Sequence, residues 1–238
     1  MPDTVLVIIT GVMVVASVGA WVYRASFSAN GRARRTLRGA RRVSIAAAPD
    51  GQVVKLVGRL SYHDDEPVVS PLGQRRCAYY RTIVEQQRKN DLDKSWRAGF
   101  VGEGLGNWIL LIQESDFCHR LWIDDGTGRA LVELVYPDVV LQMDARFRSG
   151  FLNDASPTLE ALLNKHGESS QGLLFNRTLR YREGLLEPGE TIAVHGLCRR
   201  EPDPDPAAAG LYRDRPTRVR IIDPPGGNML LSDDPKVL

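Results

Sequence analysis

The chain has 238 residues, of which 43% are hydrophobic and 25% are charged, and its formal net charge is +2 at pH 7. These proportions are typical of a globular protein and exclude a collagen-like, mucin-like or wholly disordered chain. Residues 1–42 contain seven arginines and one acidic residue, whereas residues 43–238 contain 24 basic and 28 acidic residues. Because a nucleic-acid-binding domain normally carries a basic excess, the charge of −4 after residue 42 predicts no nucleic-acid partner.

The first predicted element is a transmembrane helix at Thr4–Tyr23, a run of twenty residues without a charge. At 1.5 Å per residue it would reach roughly 30 Å, the thickness of the hydrocarbon core of a bilayer. Trp21 stands near its carboxyl end, where aromatic rings favour the headgroup region. A cleaved signal peptide is the alternative, but residues 1–3 contain no basic residue and the apolar run exceeds the usual length of a signal h-region. We therefore expect an uncleaved anchor in residues 1–24.

An arginine cluster follows the apolar run, and we interpret residues 25–49 as a juxtamembrane linker. The positive-inside rule keeps such residues in the cytoplasm, which predicts a single-pass membrane protein with its amino terminus outside and the following domain cytoplasmic. The same side chains would attract anionic lipid, at about 1 kcal/mol per charge near the surface. The predicted lipid-facing residues are Arg24, Arg32, Arg34, Arg35, Arg38, Arg41 and Arg42.

Residues 50–238 form the predicted folded domain, in which short apolar runs alternate with turn residues. Seven runs are rich in β-branched and aromatic residues and predict strands. They are Val53–Leu60, Cys77–Gln86, Asn107–Ser115, His119–Asp125, Arg129–Val135, Thr191–Arg199 and Thr217–Asp223. Strand alternation in the second run would place Cys77 and Tyr79 on one face and Ala78 and Tyr80 on the other.

Local signals predict a hairpin and a helix within this domain. The run Asp125–Gly128 predicts a tight turn between two strands, because aspartate followed by glycine favours the positive φ of hairpin turns. Ser156 can cap a helix and Pro157 suits its first position, and Gly167 would end it. The expected fold class is α+β and predominantly antiparallel β, with OB-like barrel or sheet elements, one or two helices and an N-terminal transmembrane helix.

Four stretches of this domain resemble the GIDE-domain family and follow one another in the expected order. They are VGRLSYHDDEPVVSPLGQRRCAYYRTIVEQ (Val57–Gln86), WIDDGTGRALV (Trp122–Val132), YREGLLEPGETIAVHG (Tyr181–Gly196) and IIDPPGGNMLLSDDP (Ile221–Pro235). The family includes membrane-bound E3 ubiquitin ligases of the Mulan/MAPL type. The resemblance implies a β-rich domain that lies beside a membrane and is tethered by one or two helices.

The family-like motifs contain turn glycines and small or aromatic residues that suit a fold-forming role. Pro71 and Gly73 would turn the chain into the next strand, and Gly189 precedes another strand. Turn and core roles are sufficient for these residue types, so we interpret them as structural. The motif residues are Ser70, Pro71, Gly73, Cys77, Tyr80, Asp124, Gly126, Gly128, Gly189 and Gly196.

The residues available for chemistry argue against catalysis by this chain. The family's ligases carry a RING finger with eight cysteine or histidine ligands for two zinc ions, whereas this sequence contains three cysteines and four histidines. The acidic run Asp64–Glu66 is typical of a solvated loop rather than a cation site. We expect no catalytic residue, metal or cofactor, and the sequence indicates no small-molecule substrate.

The function predicted from these observations is that of a membrane-anchored interaction or scaffold domain on the cytoplasmic face, with an unidentified protein partner. One alternative is a substrate-binding or targeting component of an E3 ubiquitin ligase-like system whose enzyme is a separate chain. Another is an OB-like oligonucleotide-binding module, because LWIDDGTGRALVEL and EPGETIAVHGLCR resemble strands of such barrels. The charge of −4 and the lack of an evident aromatic and basic stripe disfavour the oligonucleotide alternative.

Overall fold

The computed structural model describes residues 30–87, 108–143, 145–149, 156–168, 179–203 and 217–238. Within these ranges, no helix combines the length and the apolar character needed to cross a bilayer. The transmembrane helix predicted at Thr4–Tyr23 lies outside the described residues, and so does Arg24. The anchor therefore stays a prediction that the structure does not support.

The described residues form two helices and thirteen strands. The helices are α1 (residues 30–39) and α2 (Pro157–Lys165). The strands are β1 (Val53–Tyr62), β2 (Val68–Val69), β3 (Arg76–Cys77), β4 (Tyr79–Gln87), β5 (Trp108–Phe117), β6 (Arg120–Asp124), β7 (Arg129–Glu133), β8 (Asp138–Val140), β9 (Ala145–Ser149), β10 (Leu179–Leu186), β11 (Thr191–Pro202), β12 (Thr217–Ile222) and β13 (Leu230–Ser232). The predicted α+β class with mainly antiparallel strands is confirmed.

Five strands close a barrel in the order β1-β6-β7-β12-β11, with β11 returning to pair with β1. Neighbouring strands are antiparallel except β7 and β12, which are parallel. Alternate residues of β6, Leu121 and Ile123, are fully buried in the barrel core, whereas Trp122 between them is partly exposed. This alternation fixes the register, because a slip of one residue would expose the apolar side chains.

A second sheet, which we call the inserted sheet, has the strand order β5-β4-β10-β9. Strands β4 and β5 lie between the barrel strands β1 and β6 in the sequence, and β9, α2 and β10 lie between β7 and β11. Leu159, Leu162 and Leu163 of α2 pack with Val84 and Ile112 of this sheet. The inserted sheet is thus assembled from two excursions of the chain out of the barrel.

The hairpin and the helix predicted from local signals are both present. Strands β6 and β7 pair around Gly126, whose φ is +82°. Ser156 caps α2, since its Oγ accepts the Leu159 N–H at 3.3 Å, and Gly167 follows the helix with a φ of +72°. Short-range turn and capping chemistry therefore determines these two elements.

The alternation predicted for the run from Cys77 to Gln86 is wrong at its start. Cys77 packs with Tyr80, whereas Ala78 lies in the barrel core with Tyr79. The chain leaves the strand conformation at Ala78, whose N–H donates to the Leu186 carbonyl at 2.8 Å. Because of this break, side chains alternate regularly between the two faces of the sheet only from Tyr79 onward.

The chain before residue 50 also packs on the barrel. Ala33 and Leu37 of α1 are buried, and Leu37 contacts the outer side of the barrel at Val57. Farther along, Ile45 and Ala48 belong to the barrel core. The predicted linker thus contributes apolar side chains to the folded unit.

Candidate functional site

An open groove of about 620 Å³ lies on the barrel surface, where three parts of the chain meet. One wall comes from Ile45 and Ala46 before β1, and a second from the hairpin of β6 and β7. The third comes from the end of β11 and the start of β12. Its lining includes Arg129, Arg200 and Arg218, with Asp203 as the acidic member among the described lining residues.

Trp122 and Arg129 form the most distinctive contact of this groove. The guanidinium carbon of Arg129 lies 4.7 Å from the centroid of the Trp122 ring, within the range of a cation–π interaction. The His63 ring stacks with the same indole at a centroid distance of 5.3 Å. Because the indole holds the exposed Arg129 guanidinium without using its N–H groups, these groups can donate to an anionic ligand.

Arg200 ties the first wall of the groove to β11. Its Nε donates to the Ala48 carbonyl at 2.9 Å and its Nη2 to the Ala46 carbonyl at 2.6 Å. The Arg200 backbone N–H also donates to Asp50 Oδ1 at 2.8 Å. Carbonyl oxygens carry no formal charge, so these side-chain bonds orient the Arg200 guanidinium and leave its positive charge in the groove.

The charge of Arg218, in contrast, is compensated within the barrel. Its Nε donates to Glu201 at 2.6 Å, and Arg220 binds the other oxygen of Glu201 at 3.3 Å. Burial acts to raise the pKa of Glu201, but the hydrogen bonds and charges of these arginines outweigh it and hold the pKa below its usual value. Glu201 is therefore ionised at neutral pH, and Arg129 and Arg200 provide most of the groove's positive potential.

The three cysteines are buried and poorly suited to act as nucleophiles. Burial is the main cause that raises the pKa of Cys77, to about 12, and it also raises the pKa values of Cys118 and Cys198. A thiol with a raised pKa is a poor nucleophile, because the thiolate is the reactive form. In the described ranges, no group of three histidine, cysteine, aspartate or glutamate residues could hold a metal ion.

The six predicted lipid-facing arginines that the structure describes are at the surface but not in the groove. Arg32, Arg34, Arg35 and Arg38 are exposed on α1, and Arg41 and Arg42 are exposed just after it. The Nε of Arg34 lies 3.4 Å from Asp234. Their exposure leaves them accessible to a charged surface, and contact with lipid stays a prediction.

The motif residues of the SPLG turn surround a buried carboxylate of β10. Glu183 is only 4% exposed, and its two oxygens accept the N–H groups of Leu72 at 3.1 Å and Gly73 at 2.9 Å. A Cβ at Gly73 would lie 2.8 Å from Glu183 Oε2. A side chain at position 73 would therefore have to displace the Glu183 carboxylate. The motif residues in and after this turn are Ser70, Pro71, Gly73, Cys77 and Tyr80.

The remaining motif residues lie in the barrel. Asp124 Oδ1 accepts the Gly126 N–H at 2.8 Å in the hairpin turn, and Gly128 lines the groove beside Ile45. Gly189 has a φ of +90° in the turn before β11. A Cβ at Gly196 of β11 would lie 2.7 Å from a side-chain carbon of β12. Of the ten motif residues, Gly128 alone lines the groove.

The side chains that give the groove its chemistry are not among the site residues predicted from the sequence. Trp122 and Arg129 stand in the predicted hairpin. Trp122 pairs with Leu131 and Arg129 with Asp124, so the two residues are diagonal neighbours on one face, a relation that the predicted turn could have suggested. Arg200 and Arg218 reach the groove through the pairing of β11 with β12. The aromatic and basic residues are therefore adjacent in space without forming a stripe in the sequence.

Comparison with known proteins yields no match: no family model fits the chain, and no curated protein or solved structure is detectably similar to it. The likeness to the GIDE family therefore rests on the four stretches of residues alone.

Proposed function

We propose that this chain is a non-catalytic binding module that receives an acidic segment of a partner protein in the groove of its barrel. The observation that carries the proposal is the Arg129 guanidinium, which lies over Trp122 beside Arg200 in an open groove. Both arginines have donors oriented by contacts that do not cancel their charge. This arrangement suits carboxylate groups, which guanidinium ions bind through paired hydrogen bonds.

The size and composition of the groove favour a peptide over a small metabolite. A volume of about 620 Å³ in an open groove suits several residues of an extended chain, and the exposed Ala46 and the partly exposed Trp122 add apolar surface beside the arginines. Thr127 and Thr217 supply hydroxyl groups that can bond to peptide groups. Charged, polar and apolar contacts side by side are characteristic of protein interfaces.

The membrane location and the family remain part of the proposal. A helix at Thr4–Tyr23 would hold the domain at the cytoplasmic face, where the arginines of residues 24–42 would contact anionic lipid. The GIDE-like stretches support a scaffold or interaction role at a membrane. In this proposal the chain recruits a partner protein and performs no reaction of its own.

Binding of a fluorescent glutamate-rich peptide to the full chain in neutral detergent, followed by fluorescence anisotropy, tests the proposal. Arg129→Gln should weaken binding about tenfold, because one charge-assisted hydrogen-bonding group is lost. Arg76→Gln is the matched control, since Arg76 is exposed on β3 and does not line the groove. Equal affinities of Arg129→Gln and the parent chain, or equal binding of a lysine-rich peptide, would overturn the proposal.

A second candidate function, oligonucleotide binding, is favoured by the strand order of the barrel. Five strands in the order β1-β6-β7-β12-β11 agree with an OB-type barrel, whose second and third strands present the ligand-binding face. In this chain those strands are β6 and β7, which carry Trp122 and Arg129. However, Arg129 already lies over the indole, whereas single strands bind by stacking bases on free aromatic rings. A labelled thymidine oligomer that displaces the acidic peptide would favour this candidate.

A further inference from the structure

The helix α1 is held on the outer side of the barrel by its apolar side. Ala33 and Leu37 lie about one turn apart and are 6% and 0% exposed. Leu37 packs with Val57 of β1, with Ala193 of β11 and with Val237 near the carboxyl end of the chain. No described residue of α1 lines the barrel groove, so α1 can influence a ligand there only through other residues.

A buried lysine joins the end of α1 to the segment that follows it. Lys55 of β1 is 5% exposed, and its Nζ donates to the Leu37 carbonyl at 2.9 Å. Its own carbonyl accepts the Val43 N–H at 2.9 Å. A buried ammonium group needs an acceptor, because burying an unpaired charge costs free energy. Lys55 therefore favours the position of α1 that brings the Leu37 carbonyl within reach.

Residues 43–48, which we call the strap, continue from this point to the groove. The Ile45 N–H donates to Asp125 Oδ2 at 2.8 Å, and the Ala46 N–H donates to Thr127 Oγ1 at 3.2 Å. The Ile45 side chain is 2% exposed and belongs to the barrel core. The strap is thus seated on the turn between β6 and β7, where it forms the first wall of the groove.

The strap in turn orients Arg200 in the groove. The two carbonyls that accept from the Arg200 guanidinium, those of Ala46 and Ala48, both belong to the strap. A guanidinium that is already held in place loses less conformational entropy when it binds a ligand. A displacement of the strap by about 1 Å would break these bonds, since side-chain hydrogen bonds fail beyond about 3.5 Å. The position of the strap therefore decides whether Arg200 is ready to bind.

We propose that α1 and Lys55 are positioning elements for the groove, and that release of α1 from the barrel lowers the affinity of the groove for its acidic segment. This regulation rests on the peptide-binding function proposed for the groove. Docked α1 holds the strap through Lys55, and the strap holds Arg200. Coupling between two sites is reciprocal, so an acidic segment in the groove would also hold α1 more firmly on the barrel.

Fluorescence anisotropy of a glutamate-rich peptide with the full chain in neutral detergent tests the coupling. Leu37→Ala removes the main apolar contact of α1 and should weaken peptide binding about fivefold or more. Leu163→Ala is the matched control, because Leu163 is also 0% exposed but packs beneath α2 in the inserted sheet. We expect this control to bind the peptide like the parent chain. Equal weakening in both variants would overturn the proposal, since general loss of stability would explain it.

A double-mutant cycle identifies the route from α1 to the groove. If Leu37 acts through Arg200, Leu37→Ala should weaken peptide binding much less in an Arg200→Gln chain than in the parent chain. The amides of Ile45 and Ala46 should also exchange hydrogen faster in Leu37→Ala, because the strap is less firmly seated. Equal weakening in the two backgrounds, or unchanged exchange at these amides, would rule out the route through the strap.

Lys55→Met tests the same link without opening a cavity, because it keeps the length of the side chain and removes the donor to the Leu37 carbonyl. This variant should also bind the glutamate-rich peptide more weakly than the parent chain, and unchanged affinity would overturn the proposal. It decides the question if Leu37→Ala fails to fold. A parent chain that binds no acidic peptide would overturn both the proposed function and its regulation. A parent chain that binds the peptide no better than Leu37→Ala and Lys55→Met would overturn the regulation alone.

Discussion

The barrel and the inserted sheet are stabilised in different ways. The barrel encloses a large apolar cluster that includes Leu121 and Ile123. The inserted sheet has a smaller apolar cluster beneath α2, and it also encloses the carboxylates of Glu85 and Glu183, each held by several donors. Apolar burial tolerates small shifts, whereas a buried carboxylate demands partners at defined positions. The alternation of apolar residues therefore specifies the barrel, whereas contacts between individual polar side chains specify the inserted sheet.

The largest effect expected from this comparison is the loss of a barrel side chain. Leu121 is 0% exposed, so Leu121→Ala should lower the free energy of unfolding by about 2–5 kcal/mol through lost burial and a new cavity. Urea unfolding followed by circular dichroism measures the change. Val135→Ala is the control, because Val135 is 54% exposed and its loss should cost less than about 0.5 kcal/mol. If both variants lost similar amounts of unfolding free energy, the conclusion that the barrel core stabilises the protein would be wrong.

The second effect concerns the carboxylate that holds the SPLG turn. Glu183→Gln keeps the side-chain shape but puts an NH₂ group against a backbone donor, so we expect a loss of about 1–3 kcal/mol. Hydrogen exchange of the Leu72 and Gly73 amides should accelerate in the same variant. Glu187→Gln is the control, since its partner Arg75 is 54% exposed and such pairs contribute about 0–1 kcal/mol. If exchange at the turn were unchanged, Glu183 would not be its anchor.

The smallest effect is a dependence of stability on acid pH. Burial acts to raise the pKa of Glu114, but hydrogen bonds from His166, Tyr80 and Lys165 outweigh it and lower the pKa to about 2. A depressed carboxylate pKa stabilises the fold fully above the unfolded pKa of about 4.3, and this stabilisation is lost as the pH falls towards 2. Because Lys165 is 64% exposed, we expect a contribution of about 1 kcal/mol.

Urea unfolding of the parent chain and Glu114→Gln at pH 6 and near pH 3 measures this contribution. The variant should be less stable at pH 6, and the gap between the two proteins should narrow near pH 3, because the unfolded parent chain binds a proton at Glu114 there whereas the folded chain still holds the carboxylate mostly ionised. A gap that is constant over this range would show that the Glu114 charge does not stabilise the contact between β5 and α2.

The sequence predicted the barrel better than the inserted sheet for a physical reason. Each of the five barrel strands overlaps a predicted run, because apolar and β-branched residues alternate along them, although β1 and β11 extend two and three residues beyond the runs. Strands β9 and β10 were missed, since Arg146-Phe147-Arg148 and Arg180-Tyr181-Arg182 alternate arginine with aromatic residues. Alternation with a period of two residues is typical of strands. The polar positions here are arginines, however, which are also common in helices and loops.

The candidate groove was predictable only in part. The hairpin turn after Asp124 was evident from local chemistry, and it brings Trp122 near Arg129. The approach of Arg200 and Arg218 depends on the parallel pairing of β12 with β7, which no local signal encodes. Long-range pairing is decided by the packing of the whole core, so it is not readable from a single segment.

Closure of the barrel has a consequence for how the chain folds. The ladder between β1 and β11 joins Val53 with Leu197 and Arg59 with Thr191, residues more than 130 positions apart. Contacts between such distant residues form slowly, because the chain loses the entropy of loop closure before the contacts can lower its free energy. During synthesis, β1 cannot pair with β11 until β11 has left the ribosome. The edge of β1 that later faces β11 stays unpaired until then. Residues that screen this edge from other chains would therefore matter most before the barrel closes.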